Sequence, residues 1–202
     1  MQSTSSIATG RRSGHQLARL TAELEEEWPT LYRAGLRLRR GQRLSPEEEA
    51  WLREAARAAG WRMEDMEEEL RGLDQPPAAR LERYRRLLED YLREADRHAA
   101  QGDTRQAGEK LWGAATALVK LHAAQKNIPV MHWSRAKLDR FIVNNADEEL
   151  RDLLLELLDT AQPLHEYFYE GDLSPEVFAY RYRKARRLIE KAKKLIYEKL
   201  AR

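Results

Sequence analysis

No cysteine occurs anywhere in the 202 residues. Disulfides, thiolate zinc sites and a cysteine nucleophile are therefore excluded. The absence fits a reducing cytosol, or a hot habitat that disfavours labile residues. Glycine and proline are sparse, at ten and seven residues, which disfavours loop-rich and β-rich folds. No apolar run is long enough to span a bilayer. The first residues lack an apolar segment after a basic start, so they do not read as a secretory signal. Residues 1–14 read instead as a flexible polar leader. No Gly-x-Ser-x-Gly and no glycine-rich phosphate loop is present. Acidic residues fall on amphipathic faces, so paired-carboxylate chemistry has no signature. His122, His132 and His165 lack ligand spacing, and neither a metal nor a cofactor is expected.

Neither charge sign dominates: 36 Lys and Arg stand against 34 Asp and Glu, a formal net charge of +2. The balance says little about partners, but its distribution says more. Residues 176–202 carry most of the positive excess.

The composition that remains, 42% hydrophobic and 35% charged and rich in Glu, Arg, Leu and Ala, predicts an all-α protein. A helical stretch begins near Gln16, with Pro29 kinking or restarting it and Gly41 ending it. Ser45-Pro46-Glu47-Glu48 reads as a capping box opening a helix that runs to Gly60. A short helix from Met63 to about Arg71 follows. The two prolines after Gly72 mark a linker, so residues 15–75 form an N-terminal extension to a bundle over 76–202. In the bundle, helices are predicted over about 79–101, 103–127 and 132–143. The first should turn Leu81, Tyr84, Leu88, Tyr91, Leu92, Ala95 and Ala99 inward, and the second should have a capping box of Asp103 and Gln106. A further helix starts at Asn145 and is interrupted by Pro163. The last is opened by Ser174-Pro175-Glu176, with Phe178, Tyr182, Ala185, Ile189, Ala192, Ile196 and Leu200 on one face.

Several weak motifs then occur in a telling order. Gly102-Asp103 precedes a helix bearing Ala107, Ala114 and Ala115 with Lys110 and Lys120, a loop with His132 follows, and Leu164-His165-Glu166-Tyr167-Phe168-Tyr169-Glu170 precedes the final helix. In this order the chain resembles the HEPN superfamily of helical bundles, and more closely the crenarchaeal PaREP family, over roughly residues 79–200. The resemblance implies an up-and-down helical bundle in the cytoplasm that pairs as a homodimer through the helix bearing the late histidine. It also implies RNA or a nucleotidyltransferase-type protein as a partner. Catalytic HEPN ribonucleases place an arginine four to six residues before a histidine. His165 matches that histidine, but Leu158, Asp159 and Thr160 stand where the arginine belongs, so the expected function is a non-catalytic interaction module. The alternative is a metal-independent, toxin-like endoribonuclease using His165 and a cation from elsewhere, and a third reading is a purely structural scaffold. The literal match from Arg93 to His98 lies within one helix with its ends on different faces, and reads as accidental.

The individual residues keep two readings each. His165 as a catalytic group, with Tyr167 and Tyr169, lines a pocket for a phosphate or base, or the aromatics are packing and the histidine a satisfied hydrogen-bonding group. Lys120 and His132 belong to the same candidate binding set, although His132 also suits a helix border. Arg183, Arg187, Lys191 and Lys194 form a basic stripe that tracks a nucleic-acid backbone, or a solvated face paired with acidic runs. Gly108 and Gly113, flanking Trp112, suggest close helix approach.

Overall fold

Helix boundaries fall largely where the cap chemistry sets them. The computed structural model describes residue 26 and residues 29–72, 75–128 and 134–200. The leader 1–14, the expected helix start near Gln16, and His132 lie outside the described residues. Among the described residues the regular structure is entirely helical: α1 (Pro29–Arg39), α2 (Pro46–Ala59), α3 (Met63–Arg71), α4 (Pro77–Ala100), α5 (Thr104–Gln125), α6 (Arg135–Asn145), α7 (Glu148–Glu170) and α8 (Pro175–Leu200).

Pro29 is the first residue of α1, where its missing N–H leaves no bond unmade. Ser45 opens α2 with a complete capping box: its hydroxyl accepts from the Glu48 N–H at 3.2 Å, and the Glu48 carboxylate accepts from the Ser45 N–H at 2.7 Å. Gly60 ends the helix at φ +67°. Asp103 caps α5 by accepting from the Gln106 N–H, without the reciprocal bond from the Gln106 side chain.

Three predicted boundaries need correction. The helix expected from residue 132 begins at Arg135, with Ser134 in the cap position. Asn145 closes α6 rather than opening the next helix, and Asp147 caps α7 by accepting from the Leu150 N–H. Most consequentially, α7 runs unbroken through Pro163. A mid-helix proline costs about 3 kcal/mol. Leu154, Leu157, Leu158, Ala161 and Leu164, all buried around it, outweigh that cost at about 1.5–3 kcal/mol per fully buried leucine.

The bundle is α4, α5, α7 and α8, in alternating direction. α5 is the central helix, buried along almost its whole length and in contact with α4, α7, α8, α6 and the end of α2. Gly108 and Gly113 explain how neighbours come so close. A methyl group on Gly108 would stand 2.7 Å from the Leu164 carbonyl of α7, and one on Gly113 would stand 2.5 Å from the Gly60 carbonyl after α2. α8 closes the other side, antiparallel to α4: Asp96 receives Tyr182 and Arg186, and Glu89 receives Lys193. α1 to α3 pack on one another, and Glu48 ties α2 to Arg37 of α1 at 3.0 Å. None of the described helices is long and apolar enough to cross a membrane.

Candidate functional site

Two surfaces collect some of the polar groups singled out by sequence, one around His165 and one along α8. The first is where α2, α5 and α7 converge. The α2 terminus is fastened to α5 by buried bonds: Trp112 Nε1 donates to the Ala58 carbonyl at 3.0 Å, Thr116 Oγ1 to the Ala59 carbonyl at 2.8 Å, and Trp61 Nε1 to the Gly113 carbonyl at 3.1 Å. Beside this seam the Gly108–Leu164 approach brings α7 against α5. Glu109 and His165, the next residue on each helix, meet there.

His165 Nδ1 lies 2.5 Å from Glu109 Oε2, with side-chain exposures of 15% and 10%. The other carboxylate oxygen, Oε1, accepts from the Tyr169 hydroxyl at 3.0 Å. His165 stacks on Trp112, rings 5.3 Å apart, and meets the edge of Tyr169 at the same distance. One carboxylate therefore orients both an imidazole and a phenol. Burial, and then the Glu109 charge, push the Tyr169 phenol far above its ordinary range, so it stays protonated and donating. Over the Tyr169 ring sits the Arg57 guanidinium, 3.9 Å from the centroid. Arg57 is exposed and has no carboxylate partner among the described residues.

The positions that lack an arginine do attract one. Arg135 of α6 bonds Asp159 at 2.5 Å and Gln162 at 2.8 Å, and Asp139 at 2.7 Å. Two carboxylates neutralise it. Arg57, by contrast, is left uncompensated, and nothing in the spacing of the late helices could have revealed it. It stands more than a hundred residues before His165 and reaches the site only because α2 docks on α5.

Tyr167 does not share this site. Two residues before Tyr169 it faces away, its hydroxyl 3.0 Å from Thr104 Oγ1 and its ring against Phe178 of α8. Lys120 is farther still, inside the core. Its ammonium meets Glu69 Oε1 at 2.9 Å and lies 4.8 Å from the Trp61 ring centre. The same carboxylate pairs with Arg83 and accepts from the Tyr84 hydroxyl at 2.8 Å. Burial draws the Lys120 ammonium well below its usual range. This cluster joins α3 to α4 and α5.

The second surface is the outer face of α8. Of its cations, Lys184 pairs with Glu156, Arg186 with Asp96 and Glu190, Lys193 with Glu89, Lys199 with Asp147, and Lys194 with Glu198 at 3.8 Å. Arg183, Arg187 and Lys191 are exposed at four-residue spacing and without a carboxylate partner among the described residues. Four-residue steps hold them on one face. No group of side chains that could hold a metal is found among the described residues.

The model of the archaeal PaREP1/PaREP8 family matches residues 83–189, just over half of the chain. No curated protein and no solved structure matches.

Proposed function

The chain belongs to the archaeal PaREP1/PaREP8 family, and on that premise we propose that it is a HEPN-type, RNA-binding helical module that tracks the phosphate backbone along α8. The observation that carries this reading is the unpaired row of Arg183, Arg187 and Lys191 on a helix whose other cations are largely committed to carboxylates. Unpaired exposed cations gain most from releasing the counterions of a polyanion. In this reading residues 29–72 belong to an extension that docks on the bundle, and a second copy pairs through the His165 helix, which sedimentation velocity tests. RNA binding is tested by fluorescence anisotropy of labelled RNA at low salt. Arg183→Glu, Arg187→Glu and Lys191→Glu together should abolish binding, while Lys193→Gln, at a paired position, should leave it nearly intact. Equal affinities for the two variants would sink the proposal.

A second reading, metal-independent RNA cleavage, is favoured by Arg57. His165, held by Glu109, would take the proton from a 2′-hydroxyl as its oxygen attacks the adjacent phosphorus, and the 5′-oxygen would leave as a hydroxyl protonated by water, giving a 2′,3′-cyclic phosphate. Arg57 would neutralise the phosphate. Incubation of labelled structured RNA with EDTA decides it: cleavage should vanish in both His165→Ala and Arg57→Ala. RNA left intact by the unaltered protein, or cut alike by all three, rejects the reading.

A further inference from the structure

We infer that the RNA bound along α8 is single-stranded, with an unpaired base stacked on Tyr180. The inference rests on the RNA-binding reading above. Tyr180 is the most exposed large apolar side chain among the described residues, at 59%, and Val177, one turn earlier, is 42% exposed. A single exposed aromatic is ordinary on a protein surface. Its setting is not.

Tyr180 stands one turn before Arg183 and two before Arg187, so ring and cations continue one line along the helix. Its ring makes no aromatic or cation-π contact among the described residues, and the cation Lys184 acts on its hydroxyl rather than its face. Beside it, between α7 and α8, opens a cleft of about 400 Å³ that Val177, Tyr180, Glu176 and Arg181 help to line. The cleft offers an apolar wall, a carboxylate acceptor in Glu176 and a guanidinium donor in Arg181, which complement the faces and edges of a nucleobase. Duplex RNA keeps its bases stacked inside and presents only backbone and a shallow groove. An unpaired base can reach the open ring while its flanking phosphates lie over Arg183 and Arg187. Stacking of this kind tolerates every base, since each has a π-face, so strong sequence preference is not expected.

The test is fluorescence anisotropy of the full-length protein with a labelled unstructured RNA oligonucleotide, and with the same strand annealed to its complement. The single strand should bind more tightly. Tyr180→Ala should weaken it by roughly 5- to 100-fold and leave duplex affinity unchanged, and Tyr180→Phe, which keeps the ring, should retain binding. Equal binding of both RNAs, or equal losses on both in Tyr180→Ala, overturns the inference while leaving backbone binding standing. Failure of the unaltered protein to bind either RNA overturns both. If Tyr180→Ala instead converts a dimer to a monomer in sedimentation velocity and leaves RNA affinity untouched, the face is a contact between copies and the inference is wrong.

Discussion

Glu109 of α5 holds His165 of α7 by its Nδ1 atom, and the contact exists because Gly108 and Leu164, the preceding residue on each helix, are in backbone contact. Gly108→Ala places a methyl group 2.7 Å from the Leu164 carbonyl oxygen. That atom is backbone and cannot swing aside, so α7 must move outward. We expect a loss of about 1–3 kcal/mol in chemical denaturation, together with a changed His165 ring environment in NMR. Gly102→Ala is the comparison. Gly102, unlike Gly108, sits at positive φ, and nothing lies near its missing side chain, so its substitution should leave the His165 signals in place.

The Glu69 cluster makes a sharper demand on stability. One buried carboxylate faces the Lys120 ammonium and the Arg83 guanidinium, all almost fully enclosed. Glu69→Leu removes the carboxylate that two buried basic side chains share and should cost about 3–5 kcal/mol. Lys120→Met leaves Glu69 with Arg83 and Tyr84, and should cost much less. Adding Lys120→Met to Glu69→Leu should recover part of the loss, because one of the two basic groups that shared the carboxylate is gone. Additive losses in urea denaturation of the double variant would refute this account.

How much was legible in the sequence depended on how local the cause was. Ser45 with Glu48, and Asp103 with the Gln106 N–H, act within one turn, and the helices they start were readable from spacing alone. Pro163 misled because its penalty is local while the leucine packing that overrides it is tertiary. The candidate site shows the same divide. His165 and Tyr169, four apart on one helix, were readable together, but Tyr167 between them faces α8. Glu109, which orients them, carried no signal, since an acidic residue mid-helix looks like any solvated one. Lys120 reads as a basic surface residue until α3 brings Glu69 over it. Arg57 depended on the docking of a region outside the family match.

His122 makes stability depend on pH. It is completely buried, packs edge-on to Phe141 and shares a hydrogen bond with Gln125 at 3.1 Å. Burial, the largest influence, lowers its pKa below the ordinary 6.5. The unfolded chain therefore takes up a proton at a pH where the folded chain does not. Stability contributed by the neutral ring is complete above about pH 6.5 and declines as pH falls from there through the lowered folded value. Replacing the ring, as in His122→Leu, should flatten this part of the curve. Denaturation midpoints for both proteins between about pH 5 and pH 7 check it, and parallel curves would show that His122 is not the source.

The salt dependence of RNA binding should count the α8 contacts. Each phosphate neutralised on a single strand steepens the slope of log affinity against log salt by about 0.7. Arg183, Arg187 and Lys191 act through charge alone, so any one of them changed to Gln should flatten the slope by about one such step and weaken binding to all sequences alike. Lys184 behaves differently. Its ammonium is already paired with Glu156 at 2.8 Å, and recruiting it to a phosphate would leave that carboxylate uncompensated beside the RNA. Lys184→Gln should therefore leave the slope where it was. A titration series at increasing salt reads both effects, and a slope that moves equally for Lys184 and Arg187 would mean that the pairing on this helix does not decide which cations meet the backbone.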